Sequence, residues 1–202
     1  MRIVLFVEGD TERYLPDFFT RWVHPKLASP IAIKPVNFRG VGNYMKDFAK
    51  RARLDLEEPE VTAVVGLIDF YGSGLNYPDG TIQKQYGWAK DELEKQVNSA
   101  RFRQHFAVHE TEAWLLSDSS IFPRALVPEL ANNVNPETIN SQNPPSHRIK
   151  ALYHQKLNKK YKKPIEGSTL FRKLNPDTAY ASCPHLKLLL DDLLALSRTA
   201  AR

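Results

Sequence analysis

Carboxylates recur in this 202-residue chain wherever an apolar run stops. Arg2-Ile3-Val4-Leu5-Phe6-Val7 is followed by Glu8-Gly9-Asp10-Thr11-Glu12, the run Val61 to Ile68 by Asp69, and Phe102 to Val108 by His109-Glu110-Thr111-Glu112. Two carboxylates held close together repel, and a divalent cation relieves that by taking both as oxygen ligands. The bound ion would polarise a phosphodiester and lower the pKa of an attacking water. On this reading Glu8 and Asp69 hold the ion, Glu110 and Glu112 add a ligand or a base, and Glu12 stands behind them. The expected metal set is Glu8, Asp69, Glu12 and Glu112. The expected catalytic set is Glu8, Asp69, Glu110 and Glu112, with Mg²⁺ or Mn²⁺ as the ion. Taken singly, each residue has a plainer reading. Glu8 is then a solvated loop acid, Asp69 a cap on the next element, and His109 a hydrogen-bonded structural residue.

Strands and helices must bring these acids together. Residues 2–7 and 61–68 are continuous apolar runs rich in β-branched residues, as in strands buried on both faces of a parallel sheet. A strand ending in Glu8 would point that acid into the crevice where open α/β sheets place their ligands. Asp10 or Thr11 is expected to cap the next helix, with Glu12 in its first turn. Tyr14, Leu15, Phe18, Phe19, Trp22 and Val23 recur at helical spacing and read as a core-facing stripe. Pro16 fits the first turn and Pro25 ends the helix. Residues 30–38 read as an edge strand, given Pro35. Arg39-Gly40-Val41-Gly42-Asn43 reads first as a turn and second as a phosphate cradle. A helix over 43–56 faces inward through Tyr44, Phe48 and Ala52. Residues 75–83 read as a mobile, lid-like stretch, and 85–97 as a helix with Trp88, Leu93 and Val97 inward. Asp118 reads as a cap, and residues 121–143 as an excursion with little regular structure. Ser146 is a plausible N-cap for the helix that follows, and 168–174 and 185–197 read as further helices.

Charge divides the chain. Residues 121–202 carry 13 Lys and Arg against 6 Asp and Glu, whereas residues 1–120 carry 15 against 17. Between His147 and Lys163 lie Arg148, Lys150, Lys156, Lys159, Lys160, Lys162 and Lys163, with no acid and with Tyr153 and Tyr161 interleaved. With Arg39, these seven suit a nucleic-acid backbone; equally, they suit a solvated helix end and loop. The division is an acidic α/β core over 1–120 and a basic, mostly helical extension over 121–202 packed on it. Cys183 is the only cysteine, so no internal disulfide forms. No apolar run approaches the ~20 residues that span a bilayer. The N-terminus lacks signal-peptide features, and a cytoplasmic location is expected.

The β-α-β-α-β-α-β alternation, with acids after the first, third and fourth strands, resembles the Toprim domain of topoisomerases, primases and the overcoming-lysogenization-defect nucleases. Glu8-Gly9-x-Thr11-Glu12 looks like their first motif and Asp69-Phe70-Tyr71-Gly72 their second. Most Toprim enzymes carry two or more acids in the second motif, spaced by one residue; here the second position is Tyr71. The chain is more closely similar to the Toprim-like bacterial family of domain of unknown function 4276. That similarity rests on Val7-Glu8-Gly9-x-Thr11-Glu12, Asp69-Phe70-Tyr71-Gly72, His109-Glu110-x-Glu112-Ala113-Trp114-Leu115-Leu116, Ser146-His147-Arg148-Ile149 and Cys183-Pro184. The resemblance implies a Rossmann-like three-layer sandwich with a mostly parallel central sheet. It also implies a metal-dependent nuclease or other phosphoryl-transfer enzyme on nucleic acid, with phage defence as a biological setting. Two alternatives stay open: a non-catalytic nucleic-acid-binding or regulatory module, and a subunit active only with a protein partner.

Overall fold

β1 (Arg2–Val7) lies between two parallel neighbours, β2 (Ala32–Asn37) and β3 (Val61–Asp69), and β4 (Phe102–Ala107) extends the sheet beyond β3. The strand order is β2-β1-β3-β4, all parallel. The computed structural model describes residues 1–9, 12, 14–130, 135–138 and 143–199. Parallel strands need crossovers; α1 (Leu15–Val23), α2 (Val41–Glu57) and α3 (Ile82–Val97) supply them. The chain leaves β1 for β2 on one side and returns to β3 on the other. The carboxyl ends of β1 and β3 therefore flank the point where strand order reverses, which opens a crevice.

Alternation along the strands sends side chains to two separate cores. Ile3, Leu5, Val7, Ala63, Val65 and Leu67 face α1 and the helices of the chain's second half. Val4, Phe6, Val64 and Ile68 face α2 and α3 through Tyr44, Phe48, Ala52, Tyr86 and Leu93. Pro35 sits in edge strand β2 opposite Leu5, where its missing N–H leaves no ladder bond broken on the outer side.

Gly66 of β3 shows why that strand carries a glycine. The Tyr44 hydroxyl donates to Gln104 Oε1 at 2.6 Å across its bare Cα, and a Cβ there would overlap both side chains. Gly66→Ala is expected to destabilise the fold by about 1–3 kcal/mol through overpacking and to part this buried pair. Urea unfolding checks it; an unchanged midpoint would contradict the close approach.

After β4 come a short helix, α4 (Glu112–Leu115), isolated turns and α5 (Val127–Leu130). Then follow α6 (Pro145–Leu157), α7 (Ser168–Lys173), α8 (Pro176–Ser182) and α9 (Pro184–Thr199). Ile149, Phe171, Ala179, Leu186 and Leu190 join the cluster containing Phe18, Trp22 and Leu5. The apolar core thus runs across the compositional boundary at residue 120. Two glutamates, Glu110 half-buried and Glu137 buried, pin this layer. Glu110 accepts from the Ser146 backbone N–H and hydroxyl at 2.8 and 2.9 Å, at the start of α6. Glu137, 3% exposed, accepts from the His185 and Leu186 N–H groups of α9 at 2.7 and 3.1 Å, and from the Trp114 indole at 3.2 Å. Its Oε2 also lies 3.1 Å from His185 Nδ1. Each acid satisfies helix N–H groups that have no intrahelical partner.

Several local expectations are corrected. Glu12 precedes α1 rather than lying in its first turn, and Tyr14 takes the N-cap position without a side-chain bond. The expected caps Asp10 and Thr11 lie outside the described residues. Pro144, not Ser146, occupies the N-cap of α6, because the Ser146 hydroxyl is turned to Glu110. Trp88 is only partly buried. The stretch 75–83 is tied down: the Tyr77 hydroxyl donates to the Phe70 carbonyl at 2.5 Å, its ring stacks on Phe70 at 4.5 Å, and Gln85 holds Pro78. α8 was not anticipated.

Candidate functional site

The β1/β3 register sets Val7 beside Leu67, so Glu8 leaves β1 level with the end of β3, where Asp69 stands. The backbone of Asp69 donates to the Glu8 carboxyl. Glu8 is also fixed from the other side, its carbonyl accepting from Gly40 N–H at 2.5 Å. That bond needs the turn after β2 to run through Arg39 at φ 58° and Gly40 at φ 117°. Arg39 is thereby placed, exposed, beside the crevice.

The carboxylates interact as like charges. Burial raises Glu8 above the ordinary range, and Glu12 adds to the rise. Asp69 is held well above its ordinary value by burial and then by Glu8, with smaller contributions from Glu110 and Glu12. Glu112, 0% exposed, is raised by burial. Glu8, Glu12, Asp69 and Glu110 are thus linked as like charges around the ends of β1 and β3, and Glu112 joins them through Glu110 and Lys163.

Lys163 is the counter-charge. Its Nζ lies 3.0 Å from Glu112 Oε2 and 3.4 Å from Glu110 Oε1. Its field also lowers Glu8 and Asp69. Burial disfavours the ammonium, yet Glu112 and Glu110 outweigh that and raise its pKa. Burial pushes Glu110 up, but Lys163 and both Ser146 donors bring it below the ordinary carboxylate value. Lys163 opens a π-helical turn, Lys163–Gly167. Gly167 lets the Tyr161 hydroxyl approach within 2.9 Å of where a Cβ would stand. The Tyr161 hydroxyl is buried without a hydrogen-bond partner among the described residues, and of the charges around it Glu112 acts on it most strongly.

The donor set suits a hard divalent cation: oxygen only, partly desolvated and mutually repelling. Among the described residues no three His, Cys, Asp or Glu side chains stand in an arrangement that holds a metal ion. Glu8 and Asp69 nevertheless fit a Mg²⁺-type ion, which takes one or two carboxylates and completes its shell with water and substrate phosphate. Glu112 is engaged by Lys163, and Glu110 by Lys163 and Ser146, so these two face a protein cation.

The basic residues divide by partner. Lys156 pairs with Glu129 at 2.7 Å, and Arg148 donates to the Glu129 carbonyl at 2.9 Å. Lys150, Lys159 and Lys160, by contrast, line a cavity of about 310 Å³ with His154 and Tyr161, and no ion pair engages them among the described residues. Lys162 is exposed beside it. Lys163, read from the sequence as one more backbone contact, instead joins the acids; the 53 residues separating it from Glu110 leave no local signal of that.

The model of the family described as "Domain of unknown function (DUF4276)" matches residues 7–194. The chain belongs to this family. No curated protein matches it. Among solved structures it is similar to the C-terminal region of the OLD protein of Xanthomonas campestris pv. campestris. In the form phased with mercury the identity is 17% and the TM-score 0.46, over 98% of each chain. In the form phased with platinum the identity is 16% and the TM-score 0.43, over 100% of this chain and 97% of that one. The family is the one its motifs resemble, and the architecture is the expected α/β sandwich; the central sheet, expected to be mostly parallel, is parallel throughout. No helix among the described residues is long and apolar enough to cross a membrane.

Proposed function

We propose that this protein is a divalent-cation-dependent nuclease or other phosphoryl-transfer enzyme acting on nucleic acid. The observation that carries the reading is the convergence of Glu8 and Asp69 at the β1/β3 switch point, each raised by burial and a neighbouring carboxylate. Glu8 and Asp69 would hold Mg²⁺ or Mn²⁺, and the ion would supply Lewis-acid polarisation and a lowered water pKa. Lys163, charged and close to Glu112, would offer an N–H to a non-bridging phosphate oxygen as negative charge builds there. Glu112 would hold Lys163 in place and, with Glu12, add negative field behind the ion. Glu110, bound to Ser146 and Lys163, is a positioning residue in this scheme rather than a base. Arg39, Lys150, Lys159, Lys160 and Lys162 would take the flanking phosphates, whereas Arg148 and Lys156 are partly committed to Glu129.

Glu8→Gln is expected to abolish Mg²⁺- or Mn²⁺-dependent cleavage of a labelled oligonucleotide and to weaken calorimetric Mn²⁺ binding. Joint replacement of Lys150, Lys159 and Lys160 by Ala should flatten the salt dependence of nucleic-acid affinity. Cleavage surviving in Glu8→Gln would remove the catalytic reading. The rival reading, a binding module without chemistry, draws on Tyr71 standing where an acid is expected. Nucleic-acid binding with no affinity for either ion at millimolar concentration would select it.

A further inference from the structure

We propose that Tyr71, backed by His109, is a stacking platform for an unpaired nucleobase at the mouth of the carboxylate site, and that the substrate therefore presents single-stranded or unstacked nucleotides. The inference rests on the reading of the site above for its substrate class. Tyr71 lies two residues beyond Asp69, and His109 immediately before Glu110, so both rings rise from the strand ends that carry the acids. Tyr71 is 47% exposed, one of the few large apolar side chains left in water among the described residues. Its ring stacks on His109 with centroids 4.6 Å apart and planes 23° apart, and Phe70 meets it edge-on at 5.3 Å. His109 is 8% exposed, so it is the backing and Tyr71 the presented surface.

A purely structural role explains this arrangement poorly. Tyr71 fills no cavity, and neither its hydroxyl nor the His109 imidazole makes a side-chain hydrogen bond among the described residues. His109 adopts φ 70°, a left-handed conformation that a non-glycine residue holds only where the surroundings impose it. The result is an imidazole laid flat beneath the phenol. The plane of Tyr71 is thus fixed before any ligand arrives. A fixed aromatic face beside a phosphate-directed site matches a base, whose π-face is accepted whatever its sequence. Bases inside a duplex are already stacked and must first be withdrawn. Tyr71, standing where an acid is expected, would therefore act on the choice of strand.

Fluorescence anisotropy without divalent ions, so that nothing is cleaved, tests this with three labelled probes: a single strand, its duplex, and a strand of equal length made abasic. Tyr71→Ala should weaken binding of the base-bearing single strand by about 5- to 150-fold while leaving the abasic strand and the duplex unchanged. Tyr71→Phe, which keeps the ring, should bind as the unaltered protein does. Equal losses on base-bearing and abasic strands, no loss at all, or a loss in Tyr71→Phe would each overturn the platform. Glu8-dependent cleavage with no Tyr71 effect would remove the platform and spare the catalytic reading. A Tyr71-dependent preference for bases in a protein that never cleaves would do the opposite.

Discussion

Glu137→Ala is expected to lower stability by about 3–5 kcal/mol, the range for removing one partner from a buried charged network. In a chain of this size that corresponds to a midpoint drop of about 6–20 °C. One carboxylate receives the His185 and Leu186 N–H groups and the Trp114 indole, with His185 Nδ1 beside it. Alanine would leave the first turn of α9 with unpaired donors in an apolar setting and would detach the turn at 136–138 from α4. Glu137→Gln should recover less than half of the loss, because its amide nitrogen would face N–H donors. Thermal or urea unfolding checks both variants, and a loss below about 1 kcal/mol would mean that water replaces the carboxylate without penalty.

Asp69→Asn is expected to move activity and stability in opposite directions. Cation-dependent cleavage should disappear, yet the ion-free variant should melt above the unaltered protein at neutral pH. Burial and Glu8 hold Asp69 well above its ordinary 3.8. The folded state therefore binds this proton more tightly than the unfolded state does. The contribution of Asp69 is fully present below about pH 3.8 and is lost as pH rises through the elevated folded value. Asparagine does not titrate, so the stability gap between variant and parent should be flat in acid and widen toward neutrality. Glu8 is raised by the same crowding, and relief at Asp69 should bring it down. Mg²⁺ or Mn²⁺ should raise the melting temperature of the parent and leave the variant unmoved. A gap independent of pH, or a parent that melts higher without added ion, would refute this account of the crevice.

What could be read from the sequence was whatever the local pattern fixes. β1 and β3 are apolar on both faces, so their depth and parallel partners followed, and with them the meeting of Glu8 and Asp69. The aromatic stripe of α1 has core spacing, and Phe18, Phe19 and Trp22 are buried. What escaped depended on contacts between distant segments. Lys163 looked like one of seven interchangeable cations until the fold carried it to Glu110 and Glu112. Glu137 lies among prolines and asparagines, where an acid normally signals a loop, and only the arrival of α9 makes it a clamp. Ser146 looked like a cap because it follows two prolines, but its hydroxyl is claimed by Glu110. α8 did carry a signal: Asn175 caps it by accepting from Asp177 N–H at 2.9 Å, with Pro176 at its first position. His109 was weighed as a hydrogen-bonded residue, whereas it is a stacking partner; nothing local announces a left-handed backbone at a histidine.

The two faces of the sheet are completed at different times during synthesis. The face covered by α2 and α3 draws its buried residues from positions 4–108, so it can close while the rest of the chain is still in the ribosome. The opposite face takes Leu126, Ile149, Phe171, Leu186 and Leu190 from far downstream. Until those residues emerge, Ile3, Leu5, Val65 and Leu67 form a greasy strip covered only in part, by α1, on a half-built protein, the kind of surface that recruits chaperones or aggregates. The same delay keeps Lys163 away from the acids, so a nascent chain holds its carboxylates without their counter-ion until the last helices dock.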